Sequence, residues 1–213
     1  MRLFKFAPVA WIGLAAVTLA TEMLLKAAPG AGALLAEIFT PLVACGLVYA
    51  AAAADRRAAP SLRLAVAAFG AGGGAIAAIV AASLFTFAAQ AFAGWWIADA
   101  NLFLPESASP NLSATAILGV YAIGILASLP VTFVPFHVLF ERVAPGAAFA
   151  ASWNAFAQNT LPLLAYGAAS LVLLGFSLAT MGLGLVLALP LWAASSYAAW
   201  KDIFGVRDTP DAH

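Results

Sequence analysis

Apolar residues run along most of this chain in stretches of about twenty positions, and polar residues gather in short clusters between them. A helix needs about 20 apolar residues to cross about 30 Å of hydrocarbon. The strands of a transmembrane barrel would instead alternate apolar and polar residues over about 10 positions. Here whole runs are apolar, so the pattern predicts helices: about 8–26, 33–54, 71–97, 113–139, 161–177 and 181–200. Between Arg142 and Lys201 no residue is charged. If helical, that gap is roughly 87 Å long at about 1.5 Å per residue, so it must hold two crossings and a further piece lying along the membrane.

Local signals set the boundaries. Pro8 suits a first helical turn, where its missing N–H would be unpaired anyway. AAPGAG, residues 27–32, predicts a turn, and DANLFLPESASPN, residues 99–111, is the longest polar loop. Residues 62–69, LRLAVAAF, read as an interfacial lead-in to the third helix. Residues 147–159 carry Phe149, Trp153 and Phe156 on one stripe and Asn154, Gln158 and Asn159 on another. That suits a helix in the headgroup layer, with a re-entrant, cavity-lining segment as the alternative. Arg2 and Lys5 before an apolar run imitate a secretion signal, but the run is long, and Glu22 and Lys26 lie in the cleavage neighbourhood, so 8–26 reads as a retained helix. Residues 1–205 form one transmembrane domain, and 206–213 a disordered cytoplasmic tail.

Charge placement adds orientation. With six spans and both termini inside, Arg2, Lys5, Arg56, Arg57, Arg63, Arg142, Lys201 and Arg207 lie on the cytoplasmic side, and only Lys26 lies outside. This is the bias expected of cytoplasmic loops. Trp95 and Trp96 then fall in the outer aromatic belt and Trp200 in the inner one.

The return helices share a design. Each has a proline, a ring seven or eight residues later, then an acid: Pro41, Tyr49, Asp55; Pro130, His137, Glu141; Pro190, Tyr197, Asp202. The pattern reads either as three repeated helical hairpins or as the independent taste of membrane helices for inner prolines and aromatic, charged ends.

Five residues are candidates for chemistry or for structural pairing. Glu22 and Glu37 are the acids placed toward spans, where a carboxylate is a functional hypothesis by default. Both fall near helix ends, and Glu22 is spaced i, i+4 from Lys26, so an interfacial ion pair is favoured, with Glu37 reaching the same lysine. His137 has Glu141 four residues on. One His–Glu pair is too little for zinc, which takes three or four ligands, and a capping or interfacial role is favoured. Asp202 completes the third triplet. Gly70, Gly72, Gly73 and Gly74 imitate a phosphate loop without its Lys-Ser or Lys-Thr pair. They read instead as a break before helix three and, through Gly70 and Gly74, as a GxxxG packing pair. Gly182 and Gly184 read as packing positions in helix six.

Composition fixes the class and narrows the partners. The chain is 65% hydrophobic and 8% charged, with mean hydropathy +1.02, which a soluble domain of 213 residues could not bury. Lys and Arg are too sparse for a nucleic-acid surface. The single cysteine, Cys45, excludes an intrachain disulfide and a multi-cysteine metal site. No nucleophile elbow or acid pair points to catalysis, so no enzyme activity, metal or other cofactor is expected.

FTPLVACGLVYAAAAADRR (39–57), ERVAPGAAFAASWNAFAQNTLPLLAYG (141–167) and GLGLVLALPLWAASSYAAWKDIFG (182–205) resemble a family of uncharacterised bacterial inner-membrane proteins. That family is similar to the YciC-like proteins and to the membrane domain attached to some glycerophosphodiester phosphodiesterases. The C-terminal pattern around Pro190, Tyr197, Asp202 and Phe204 is its most specific part. The resemblance implies a polytopic inner-membrane protein and carries no catalytic residue.

Two functions follow as expectations. One is a non-enzymatic structural, accessory or lipid-interacting protein that binds membrane lipids, a membrane-protein partner or a second copy of itself. The other is a small transporter or channel lined by Ser83, Thr86, Ser128, Thr132, Ser170 and Ser177. Convergence of these hydroxyls on one wet cavity would favour the channel, and bonding back to their own helices would favour the accessory protein.

Overall fold

The structure, a computed structural model, describes residues 7–98 and 113–206. The expected loop 99–111, Arg2, Lys5, Arg207 and all but the first residue of the expected tail lie outside them. Among the described residues the fold is all-helical, with no strand. The helices are α1 (Pro8–Lys26), α2 (Gly32–Asp55), α3 (Gly73–Ala98), α4 (Ala114–Ser128), α5 (Pro145–Gln158), α6 (Thr160–Ala179) and α7 (Leu185–Phe204). A 3-10 segment, Leu62–Gly70, precedes α3.

Five helical segments are long and apolar enough to cross a membrane: α1, α2, α3, the stretch Thr115–Glu141 and α6. This is the make-up of a multi-pass membrane protein. The sixth expected span, α7, has the length at 20 residues. Ser195, Ser196, Lys201 and Asp202 in its second half lower its apolarity, and it is not among those five.

The α1–α2 and α3–α4 pairs pack as hairpins, and α2 also meets the 3-10 segment, α3 and α7. Its inner face is built from small residues: Ala50, Ala51, Ala52 and Ala54 are buried. Small residues let helix backbones approach closely, which drives association where lipid removes the hydrophobic contrast between helices. The closest approach is at Gly46. A Cβ there would lie 2.8 Å from the Cα of Ala65 and from the carbonyl oxygen of Leu64, so only glycine admits the crossing 3-10 segment. Leu62, Val66 and Phe69 of that segment stay exposed as an apolar stripe.

The expected fourth helix, 113–139, is broken. It is regular only to Ser128, then passes through a 3-10 turn (Leu129–Val131), one α-turn (Val134–Phe136) and a π-turn (His137–Glu141). Pro130 and Pro135 lie in this stretch, and each lacks the N–H that would bond the carbonyl four residues back. A hydroxyl from α5 repairs the break. Ser152 Oγ donates to the Pro130 carbonyl at 2.8 Å and accepts from the Phe133 N–H at 3.1 Å, inserting itself into the backbone ladder.

This contact changes the reading of α5. The stripe that docks is neither aromatic nor amide-bearing but Ala148, Ser152 and Ala155, all buried. Trp153 is exposed and packs against Phe156.

Turns account for the remaining boundaries. Met181 and Gly182 have positive φ between α6 and α7, and Gly184 approaches the Cα of Ser177 to within 2.8 Å of where its own Cβ would stand. Gly182 therefore makes the turn and Gly184 serves packing. Gly205, left-handed at φ 61, ends α7 four residues beyond the expected point, with the Val206 N–H donating to the Lys201 carbonyl.

Ser152→Ala should leave the Phe133 N–H and the Pro130 carbonyl unpaired in a fully buried site, and should lower stability by about 1–3 kcal/mol. Denaturation of the purified protein in detergent measures this. An unchanged transition would mean that the hydroxyl does not support the break.

Candidate functional site

The polar groups of the described bundle concentrate at the end that carries Arg56, Arg57, Arg63, Arg142 and Lys201. Asp55, the last residue of α2, is the hub. Its Oδ2 accepts from Tyr197 Oη at 3.1 Å and from Lys201 Nζ. Tyr197 and Lys201 lie four residues apart, on one face of α7. Both charged side chains are about three-quarters buried or more, at 20% and 23% exposure. The first return helix is thereby locked to the last.

Aromatic rings wall this lock. Phe136 stacks on Trp200 with centroids 5.6 Å apart and planes at 19°. Phe140 meets Tyr197 edge-on at 6.2 Å and Tyr49 edge-on at 5.5 Å. Such offset and edge-to-face contacts each add about 0.5–1.5 kcal/mol beyond area. Trp200 therefore belongs to the core and not to a lipid-facing belt: it is 3% exposed. Trp95 and Trp96 are exposed and cluster with Phe92.

The π-turn brings His137 and Glu141 beside this wall. His137 Nδ1–H donates to Glu141 Oε2 at 2.7 Å, and the ring meets Phe204 edge-on at 4.5 Å. The imidazole is 2% exposed, and its Nε2 has no hydrogen-bond partner among the described residues. The expected capping or interfacial histidine is thus a core residue with one polar contact. Arg142 follows in the left-handed region at φ 55, and its N–H donates to the His137 carbonyl, ending the π-turn. No group of three or more metal-ligand side chains occurs among the described residues.

The other acids sit at the opposite end. Glu22 pairs with Lys26 on α1. Glu37 does not reach that lysine for a hydrogen bond; it accepts from Ser83 Oγ on α3 at 3.0 Å. Glu22, Glu37, Thr40, Pro41 and Ser83 line a cavity of about 160 Å³. Asp202 is exposed and joins none of the ion pairs among the described residues. Its neighbour Lys201 is the residue that pairs, with Asp55.

The hydroxyls expected to line a path mostly bond to their own helices. Thr86, Ser128, Thr132, Ser170 and Ser177 each donate to a carbonyl three or four residues back. Three of them, Ser128, Thr132 and Ser170, nevertheless face one cavity of about 220 Å³ shared with Tyr166 and Trp192. A larger cavity, about 760 Å³, opens at the basic end between the glycine-rich turn 70–74 and the turn 142–145. Its lining includes Tyr49, Val138, Leu139 and Arg142.

Comparison with known protein families, curated proteins and solved structures finds no match to this chain. The site stands on its own geometry.

If the Asp55 hub locks α7 in place, Lys201→Met should destabilise the protein by about 1–3 kcal/mol, because it leaves a largely buried carboxylate with one donor fewer. The double variant Asp55→Asn, Lys201→Met should recover part of the loss. A double-mutant cycle on the detergent-solubilised protein reads the coupling, and strict additivity would exclude the lock.

Proposed function

We propose that this chain is a multi-pass protein of the bacterial inner membrane, without enzymatic activity, that works by holding lipid or a partner membrane protein. The observation that carries the reading is the use made of its hydroxyls. Five of the six candidate path hydroxyls are spent on their own helix backbone, while open polar surface gathers at the basic end. A continuous wet path would need those hydroxyls to face one another across the bundle. Exposed Leu, Val, Ile and Phe side chains on α1, α3, α4 and α6 provide the lipid-facing belt. The reading agrees with the resemblance to YciC-like proteins and to the membrane domain of glycerophosphodiester phosphodiesterases.

Six crossings with both termini cytoplasmic fit the charge bias, α7 being the sixth. The α7 helix is long enough to span about 30 Å, since 20 residues rise about 30 Å; its serine hydroxyls bond back to its own carbonyls and its lysine pairs with Asp55. Six spans put the two termini on one side and five put them on opposite sides. Reporter fusions that signal only in the cytoplasm should therefore be active at both ends. Activity at one end alone would reduce the count to five.

A second reading, a small transporter or channel, rests on the cavity shared by Ser128, Thr132, Ser170 and Tyr166. Native mass spectrometry of the protein in mild detergent, together with solute flux in reconstituted vesicles, separates the two. Retained lipid or a stoichiometric protein, with no flux above empty vesicles, is the expected result. Flux that falls in a Ser170→Val variant would establish the transporter instead.

A further inference from the structure

We infer that the 760 Å³ cavity at the basic end is a headgroup site for an anionic phospholipid, whose phosphate Arg142 receives. The inference deepens the lipid-holding reading above and rests on it. The cavity's lining mixes two chemistries. Ala71, Ala75, Val138 and Leu139 contribute apolar side chains. Arg142 and Tyr49 contribute polar ones, and Gly70, Gly72 and Gly74 contribute only backbone. An amphipathic ligand with a charged head and an apolar stem matches that mixture.

Arg142 is available for a ligand. Its neighbour Glu141 is engaged by His137, and none of the ion pairs among the described residues uses Arg142. It is the one cationic side chain lining the cavity, and no acidic side chain lines it. A guanidinium presents a planar fork that matches phosphate oxygens.

The glycines give an independent argument. A Cβ at Gly70, Gly72 or Gly73 would meet nothing within 4 Å, and at Gly74 it would make only ordinary contact with Pro145. None of the four has a positive φ. Neither packing nor backbone conformation requires glycine here, so the expected GxxxG packing role does not apply. What the missing side chains do is leave the mouth of the cavity open and its backbone bare. The exposed apolar stripe of the adjoining 3-10 segment, Leu62, Val66 and Phe69, places this mouth where lipid headgroups would lie.

The test uses the full chain in mild detergent, titrated with phosphatidylglycerol, with phosphatidylcholine of the same acyl chains, or with inorganic phosphate, and read by native mass spectrometry. Wild-type protein should retain phosphatidylglycerol about tenfold better than phosphatidylcholine, the size expected of one charge-assisted contact. Arg142→Gln should abolish the preference and Arg142→Lys should keep part of it. Gly72→Val should reduce it by filling the mouth, while Gly175→Ala, which also adds atoms to open space but away from the cavity, should not. Thermal unfolding of each variant verifies the fold. A preference that survives both Arg142→Gln and Gly72→Val overturns the site and leaves the lipid reading standing. No preference in the wild type overturns the lipid reading as well. Retention of inorganic phosphate without lipid preference overturns the lipid assignment in favour of a soluble anion.

Discussion

The bundle depends on keeping its backbone paired where prolines open it. Away from water an unpaired N–H or carbonyl costs several kcal/mol, yet the chain places Pro130 and Pro135 within one stretch. The Ser152 hydroxyl makes this arrangement tolerable. It gives the Pro130 carbonyl a donor and the Phe133 N–H an acceptor. With that repair the helix can loosen through a 3-10 turn into a π-turn, which in turn aims Phe136, His137 and Phe140 into the core. The aromatic wall around Tyr197 and Trp200 is therefore built on a backbone that a distant serine holds together.

The polar economy of the protein follows the same logic. Most side-chain hydroxyls inside the bundle bond to their own helices, those of Ser152, Ser83 and Tyr197 reach across to other elements, and Asp55 is matched across helices at the basic end. Asp55 takes two donors on one oxygen, and Glu141 takes the histidine. Those pairings leave Arg142 without a carboxylate, beside a cavity lined by apolar side chains and glycines. Open surface and a charge in no ion pair coincide beside this cavity.

Much of the architecture was legible in the sequence. Runs of apolar residues located every long helix, because a helix in lipid must satisfy its own backbone and so advertises its length. Pro8 and the turn around Gly30 marked boundaries through local backbone preferences, and Glu22 with Lys26 was readable from spacing alone. The failures have one cause: partners far apart in the chain. Nothing in residues 147–159 signals that Ser152 will enter the Pro130 break, because a lone serine on an Ala-rich helix looks inert. The aromatic stripe drew attention away from it. Trp200 read as a belt residue because sequence cannot distinguish a tryptophan at a membrane surface from one stacked on Phe136. Glu37 read as the neighbour of Lys26 because the turn is short, but α3 brings Ser83 closer. The crossing of the 3-10 segment had a clue on α2, in Gly46, whose lack of a side chain makes sense only against Leu64 and Ala65.

The lock between α2 and α7 joins residues separated by 146 positions, and that separation has a counterpart in time. At about 5–20 residues per second the ribosome delivers Lys201 on the order of ten seconds after Asp55. Throughout that interval the carboxylate stands at the edge of a half-made bundle with neither of its α7 donors. The last helix, the least apolar of the long ones, then emerges to find an acceptor already in position. Its docking is thus a matter of capture by what was synthesised earlier, and a change at Asp55 would be felt first as a failure of assembly at the opposite end of the chain.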